Sequence, residues 1–353
     1  MKRISLFLSL LLALALPAFA QEPRTEKPRV WWQKNPAAFT GAVTVACWNI
    51  EWFPAEAGLK KNVSVDRIQT HMVEAAQIIN AEDPTILIAS EVRTFADALE
   101  LNQHLRHPYA YIAVTDYQAV NSQTGEDGNN LQEQALFSHI PWKDIWEVDF
   151  GALPMADNRP ARGFLDGTFL IHGAPVEIIG VHLKANYIRP GTTEPEKVAL
   201  RNVEKRERGS GYILADLARR GLKPLADKII IGGDFNTDVY AERFQGDKSL
   251  KMLLQAGFYN SFEGLEPAAR VTIPSKKGET GGPFPDTTFD YALTSVGIGQ
   301  LRASVVQRGA SKDSETGPGS PGHASDHYMV KLALPDKWSP PVTNTVPAEA
   351  ATK

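Results

Sequence analysis

The sequence predicts an α+β fold, with strands and helices segregated into layers. Short apolar strand-like runs outnumber helical stretches. Few of these runs follow the strict strand-helix alternation of a doubly wound parallel sheet. The chain has 353 residues, 43% hydrophobic and 22% charged, which is ordinary globular composition with enough apolar surface for a sizeable core.

Strand-like runs fall at 43–48, 85–89, 168–171, 176–181, 228–231 and 328–332. A helix is expected from Ser64, a good N-cap, with Val65, Ile68, Met72, Ala75 and Ile79 on one face and an end before Pro84. A longer helix is expected over about 194–220, stopped by Gly221, and another over about 248–256, before Gly257.

The first twenty residues are of a different kind. Lys2 and Arg3 precede an apolar run from Leu6 to Leu16, and Ala18-Phe19-Ala20 supplies the small residues of a cleavage site. Residues 1–20 therefore read as a secretory signal peptide cut after Ala20, which predicts a secreted or periplasmic protein. The run is too short for a transmembrane helix, which needs roughly 20 apolar residues, and no later segment is long and apolar enough. Residues 21–40, polar with Pro23, Pro28 and Pro36, read as an N-terminal leader, although Trp31 and Trp32 are able to pack on the domain. One catalytic domain over 41–335 and a loose Pro/Ala/Thr tail over 336–353 complete the organisation, and a monomer is expected.

Charge and cysteine usage narrow the function. Of 37 basic and 41 acidic side chains, Lys2 and Arg3 leave with the signal, so the mature chain is acidic. A polyanionic substrate must then be met by a local basic patch or by bound metal. The single cysteine, Cys47, rules out an internal disulfide and any cysteine-based metal cluster; its apolar strand marks it as a core residue.

Several apolar strands end in clusters of Asp, Asn, Glu or His. In 229–238 three isoleucines drive a strand, Gly232 and Gly233 free the backbone, and Asp234 and Asn236 then point to the same side. A carboxylate and an amide so placed suit a water nucleophile and a phosphate oxygen; the plain alternative is a strand followed by an Asx turn. Asp326-His327, leading into the last strand, pairs a metal ligand or orienter with a general base. Asp290, in Phe289-Asp290-Tyr291, is a carboxylate able to hold that imidazole. His182, at the end of 176–182, permits acid/base work on the second side of a phosphodiester, with Glu133 as its carboxylate partner, although alone it reads as a satisfied histidine. Asn49 and Glu51 in 48–51, and Glu91 in 88–93, add oxygen ligands at strand ends, and Arg93 follows Glu91. Oxygen-only clusters favour Mg²⁺, Mn²⁺ or Ca²⁺ over zinc. Two polar Gly-rich loops, 121–130 and 311–323, precede candidate motifs and suit substrate contact.

Taken in order, Trp-Asn-Ile at 48–50, Glu-Val at 91–92, Gly-Asp-Phe-Asn at 233–236 and Ser-Asp-His at 325–327 resemble the motifs of the endonuclease/exonuclease/phosphatase superfamily, over about residues 43–332. Glu91-Val92-Arg93, Glu133 before Ala135-Leu136-Phe137, Ala161-Arg162-Gly163 and the place of His182 resemble its deoxyribonuclease I branch. The resemblance implies a four-layer αββα sandwich of two packed mixed sheets flanked by helices. It implies Glu91, Asn49 and Asp326 at a metal, with Mg²⁺ expected and Mn²⁺ or Ca²⁺ as alternatives. It implies Asp234 and Asn236 on phosphate or attacking water, Arg93 and Arg162 on phosphate, and two His-carboxylate pairs, His182–Glu133 and His327–Asp290. Ser90 stands where the family has Gln, Thr85 where an Asp is expected, and the disulfides common in the secreted nucleases are ruled out.

The function so predicted is a secreted, divalent-metal-dependent phosphodiesterase, foremost a nuclease on DNA or RNA. The alternatives are a sphingomyelinase-like phospholipase C binding a phospholipid head group, a phosphomonoesterase, and a catalytically inactive binding domain. Residues 184–223 carry ten Lys or Arg against five acids and follow His182 directly, as a phosphate-backbone track would; Glu204 and Glu207 also fit a solvated helix of mixed charge.

Overall fold

The computed structural model of the protein describes residues 22–57, 62–120, 127–129, 132–154, 158–275, 285–310 and 317–338. The expected signal peptide, most of the Gly-rich loop 121–130, residues 311–316 of the second loop and the tail beyond Trp338 lie outside these residues. In chain order the strands are β1 (Arg24–Glu26), β2 (Arg29–Trp32), β3 (Thr44–Phe53), β4 (Ile86–Val92), β5 (Tyr111–Val114), β6 (Gln118–Val120), β7 (Asp127–Asn129), β8 (Glu133–Ser138), β9 (Trp142–Asp149), β10 (Gly163–Ile171), β11 (Ala174–His182), β12 (Lys228–Asp234), β13 (Phe258–Asn260), β14 (Asp290–Ser295), β15 (Ala303–Val306) and β16 (Met329–Ala333). The helices are α1 (Val65–Glu82), α2 (Phe95–Gln103), α3 (Pro195–Arg219) and α4 (Ser249–Gln255).

Two seven-stranded mixed sheets form, in the orders β1-β9-β10-β11-β12-β14-β13 and β15-β16-β3-β4-β8-β5-β2. The parallel pairs, β11–β12 and β3–β4, sit at the middle of each sheet. Their neighbours are antiparallel, so the α+β expectation holds.

Alternation along the central strands decides the layering. In β3, Val45 and Cys47 join the core between the sheets, whereas Ala46, Trp48 and Ile50 face α1 and α2. In β4, Ile86 and Ile88 turn inward, and Leu87 and Ala89 turn to the helices. Tyr212, Ile213 and Leu217 of α3 and Leu250 and Leu253 of α4 cover the other sheet. The order of layers is thus helix, sheet, sheet, helix. The sheets meet closely at Gly180, where a Cβ would lie 2.7 Å from Ile88 Cγ2. Cys47 is buried, as its strand predicts, with Sγ 3.4 Å from Tyr291 O; burial pushes its thiol pKa far up, which makes it inert.

Ser64 caps α1 by accepting from Arg67 N at 3.2 Å. The leader differs from its reading as a passive lead-in: Arg24–Glu26 pairs with β9 and Arg29–Trp32 with β5, so it supplies one edge strand to each sheet. The start of the tail is also docked, with Trp338 Nε1 donating to Ile171 O at 2.8 Å. No described helix is long and apolar enough to cross a membrane.

Candidate active site

The strand ends of both sheets converge on one buried polar cluster. His182 and Asp234 are register partners at the ends of parallel β11 and β12, and Asp234 is in turn opposite Asp290 at the start of β14. Asn49 and Glu91 arrive from β3 and β4 of the other sheet. Register shifts between Asn49 and Phe53 and between Ser90 and Val92 mark bulges that turn Glu51 and Glu91 out of the ladder. Glu51, Trp52, Glu91, Arg162 and Asn236 all have positive φ, 45°, 46°, 65°, 61° and 53°, so strained backbone is concentrated here. Gly233 (φ 139°) precedes Asp234, and a Cβ there would lie 2.0 Å from Val181 O; only glycine lets β12 end in this geometry.

Asn49 Nδ2 donates to Glu91 Oε1 and to Asp234 Oδ2, both at 3.1 Å. Its own oxygen accepts from Glu51 N at 3.0 Å, so the amide ties the two carboxylates together. Glu91 Oε2 accepts from Trp52 N at 2.8 Å. Asp234 Oδ1 accepts from Asn236 N at 2.8 Å, and Asn236 Nδ2 donates to Leu183 O at 3.2 Å. Asp234 Oδ2 then lies between the two imidazoles, 3.6 Å from His182 Nε2 and 4.0 Å from His327 Nε2.

The two histidines differ. His327 Nδ1 meets Asp290 Oδ2 at 2.7 Å, the expected pair; the carboxylate fixes a proton on Nδ1 and turns Nε2 to the cluster. His182 Nε2 faces Glu91 Oε1 and Asp234 Oδ2, each at 3.6 Å, and is therefore the protonated nitrogen. The expected His182–Glu133 hydrogen bond is absent. Glu133 instead accepts from Thr115 Oγ1 at 2.6 Å and from Tyr117 N at 3.1 Å, and His182 Nδ1 is buried with no partner among the described residues. Burial, Arg162, His327 and Lys184 hold His182 well below the usual histidine pKa. Against its own burial, Asp290, Asp326 and Asp234 hold His327 well above it, so the ring favours the protonated form while those carboxylates carry charge; a cation on Asp234 and Asp326 would offset two of the three and free Nε2 to accept.

The candidate phosphate ligands divide similarly. The Arg162 guanidinium donates to Gln132 Oε1 and to the carbonyls of His182 and Leu183, at 3.3 and 3.1 Å, beneath the cluster. Arg93 is paired with Asp97, 2.9 Å from Nε to Oδ2 and 2.6 Å from Nη2 to Oδ1, at the first turn of α2. No local motif marks His323, whose Nε2 meets Glu51 Oε2 at 2.7 Å and ties the Asp326 segment to the β3 bulge.

These residues fit a divalent cation. Burial and then Asp326 raise the Glu91 pKa, while burial and then Asp290 raise that of Asp234 to about 7. Crowded carboxylates of this kind resist ionisation unless a cation joins them. Their donors are oxygens, which suits Mg²⁺, Mn²⁺ or Ca²⁺. Asp234, Asp290 and His327 also bring one donor atom each within 4.8 Å of one another. Asp290 and His327 direct those atoms at each other, whereas Asn49 Nδ2 gathers carboxylate oxygens of Glu91 and Asp234, 3.1 Å from each.

His71 of α1 anchors the surrounding loops. Its Nδ1 accepts from Ala55 N at 2.7 Å, so Nε2 carries the proton and donates to Ala324 O at 2.8 Å. Burial lowers its pKa to about 4. A folded-state pKa below the unfolded value of about 6.5 means that this stabilisation is full above pH 6.5 and is lost as pH falls towards 4. The expected loss is about 3 kcal/mol across that window. Urea unfolding of wild type and His71→Gln at pH 7 and pH 4.5 measures it: the stability gap between them should narrow at the lower pH, and a constant gap contradicts the assignment.

No curated protein sequence matches the chain. Among solved structures, SmcL superposes with a TM-score of 0.57 at 18% identity, covering 84% of this chain and 100% of its own. Sphingomyelinase C from Streptomyces griseocarneus gives 0.53 at 19%, covering 84% and 100%. Truncated TDP2 from Caenorhabditis elegans gives 0.51 at 16%, covering 83% and 97%. These likenesses establish the fold. Residues 46–327, which include Asn49, Glu91, His182, Asp234, Asp290 and His327, match the Endonuclease/Exonuclease/phosphatase family, and the chain belongs to that family.

Proposed function

We propose that this phosphoric ester hydrolase is a divalent-metal-dependent phosphodiesterase that cleaves nucleic acid outside the cytoplasm. The observation that carries the reading is the placement of two differently wired imidazoles on either side of Asp234 Oδ2, 3.6 and 4.0 Å away. One is turned to take a proton from the attacking water, and the other, kept neutral, offers an N–H hydrogen bond to the charge that develops on the leaving alkoxide, which takes its proton from solvent. The export reading rests on residues 1–20 alone.

In this mechanism Glu91, Asp234 and Asp326 would hold the cation, with Asn49 clamping the first two. When bound, the cation neutralises phosphoryl charge and stabilises the charge that develops in the transition state. His327, oriented by Asp290, takes a proton from the attacking water through Nε2. Asp234 and Asn236 position that water and a phosphoryl oxygen. His182 presents its Nε2–H to the leaving oxygen. Arg162, held on the carbonyls of His182 and Leu183, adds positive charge behind the phosphate.

The nucleic-acid reading draws on the basic segment after His182. It is consistent with the neighbouring fold of Danio rerio TDP2, solved with a single-strand DNA product, which superposes with a TM-score of 0.51 at 12% identity and covers 84% of this chain and 100% of its own. The direct test is nicking of supercoiled plasmid with Mg²⁺ or Mn²⁺. We expect nicking that EDTA abolishes and added metal restores. Folded, metal-supplied protein that leaves plasmid and RNA intact but hydrolyses sphingomyelin would overturn the nucleic-acid reading.

A further inference from the structure

His182 carries one unanswered atom. Its Nε2 faces Glu91 Oε1 and Asp234 Oδ2, 3.6 Å from each, but Nδ1 is buried and meets no partner among the described residues. Gln134 of β8 has the complementary gap. It is fully buried, its Oε1 accepts from Leu165 N at 3.2 Å, and its Nε2 has no acceptor among the described residues. The Leu165 bond settles which end of the amide is nitrogen, so the unpaired atom on Gln134 is a donor. With Nε2 of His182 turned to two carboxylates, the unpaired atom on the imidazole is an acceptor.

Both side chains enter the same space. Leu136 belongs to the core between the sheets, whereas Ala135 and Phe137 face the helices, so alternation along β8 sends Gln134 between the sheets. Gly180 of β11 points there too: a Cβ on it would lie 2.7 Å from Ile88 Cγ2 and 3.2 Å from Gln134 Oε1. His182 is two residues further along β11 and leaves it on the same side. The Gln134 backbone is clamped as well. Thr115 N donates to its carbonyl at 2.9 Å, and Thr115 Oγ1 accepts from its N–H at 2.9 Å while donating to Glu133 Oε2 at 2.6 Å.

We propose that Gln134, not Glu133, is the positioning residue of His182, its Nε2–H hydrogen-bonded to Nδ1 directly or through one buried water. Either form hands Nδ1 a donor, so the imidazole proton stays on Nε2, facing the site. Two buried polar groups left unpaired would destabilise the interior, and one contact satisfies both. Glu133 then acts at one remove: it holds the Thr115 hydroxyl, which holds the Gln134 backbone. The catalytic part of this inference rests on the phosphodiesterase reading; the contact itself does not.

The proton is located by two-bond ¹H–¹⁵N correlation spectra of the full chain labelled with ¹⁵N-histidine, in EDTA, with the His182 signals assigned by their loss in His182→Ala. Wild type should show His182 as the Nε2–H tautomer. Gln134→Met, of similar length but without a donor, should give a mixture of both tautomers. Gln134→Glu, of the same shape with an acceptor where the donor stood, should bring a proton to Nδ1, a reversal that loosened packing alone does not produce. On plasmid with Mg²⁺, Gln134→Met should lower kcat roughly tenfold and leave KM unchanged, the scale set by outer partners of site residues. It should lose less on methyl p-nitrophenyl phosphate, whose leaving group leans least on His182. A wild-type His182 protonated on Nδ1 overturns the contact without recourse to any variant, and so do unchanged tautomers in both Gln134 variants. Shifted tautomers with kcat unchanged on plasmid overturn the positioning role. A wild type that shows the expected tautomers but hydrolyses no diester overturns the phosphodiesterase reading and leaves the contact standing.

Discussion

Replacing His327 by Ala is expected to lower kcat roughly 10²–10⁴-fold, the scale of losing a positioned general base. Asp290 binds Nδ1 at 2.7 Å, and Nε2 looks onto Asp234 and Asp326, at 4.0 and 3.6 Å. The loss should be equally severe on plasmid and on a p-nitrophenyl diester, because a better leaving group does not help a water that has lost its base. Asp290→Asn keeps the shape but removes the charge that orients the imidazole, so its activity should fall between wild type and His327→Ala. Circular dichroism and thermal unfolding of each variant separate this from loss of fold. A His327→Ala enzyme within threefold of wild type on both substrates would remove His327 from the reaction.

What the sequence discloses of this site follows the range of the interactions involved. The Ser64 cap, the long α3 pattern and the isoleucine strand before Asp234 are local, and a window of ten or twenty residues contains their cause. Asp234, Asn236 and His182 could be picked out because a strand end projects them, and the strand itself is a local pattern. Partner choice is not local. Glu133 lies at the start of β8, where the family resemblance places it, yet its hydrogen bonds go to Thr115 and Tyr117, supplied by the end of β5 and the turn after it. His323 meets Glu51 across 272 positions of sequence, and nothing near either residue announces the other.

The leader shows the same limit. Arg24–Glu26 and Arg29–Trp32 are too short and polar to read as strands alone; they become strands because β9 and β5 offer open edges. Arg93 is the contrary case. Thr94 caps α2 and Asp97 lies four residues after Arg93, so the ion pair that holds the guanidinium was legible as an i,i+4 pattern. The motif resemblance instead suggested phosphate. The local physics pairs the Arg93 guanidinium with Asp97 at the head of α2.

His182→Ala should also cut plasmid cleavage roughly 10²–10⁴-fold, but with a different signature. His182 Nδ1 has no partner among the described residues, and burial with Arg162 and His327 disfavours its cation. Its Nε2–H instead points at Glu91 Oε1 and Asp234 Oδ2, 3.6 Å from each. A group that donates to the leaving oxygen matters most when that oxygen is a basic alkoxide, as in DNA, and least when it is a stable phenolate. The variant should therefore recover to within about tenfold of wild type on a p-nitrophenyl diester, whereas His327→Ala should not. Rescue of His327→Ala in place of His182→Ala would exchange the two roles. Equal failure of both variants on both substrates would mean that His182 acts on the bound phosphate or on Glu91 and Asp234, not on the leaving group. The comparison separates these cases because the two imidazoles share one carboxylate oxygen but differ in the atom each presents to it.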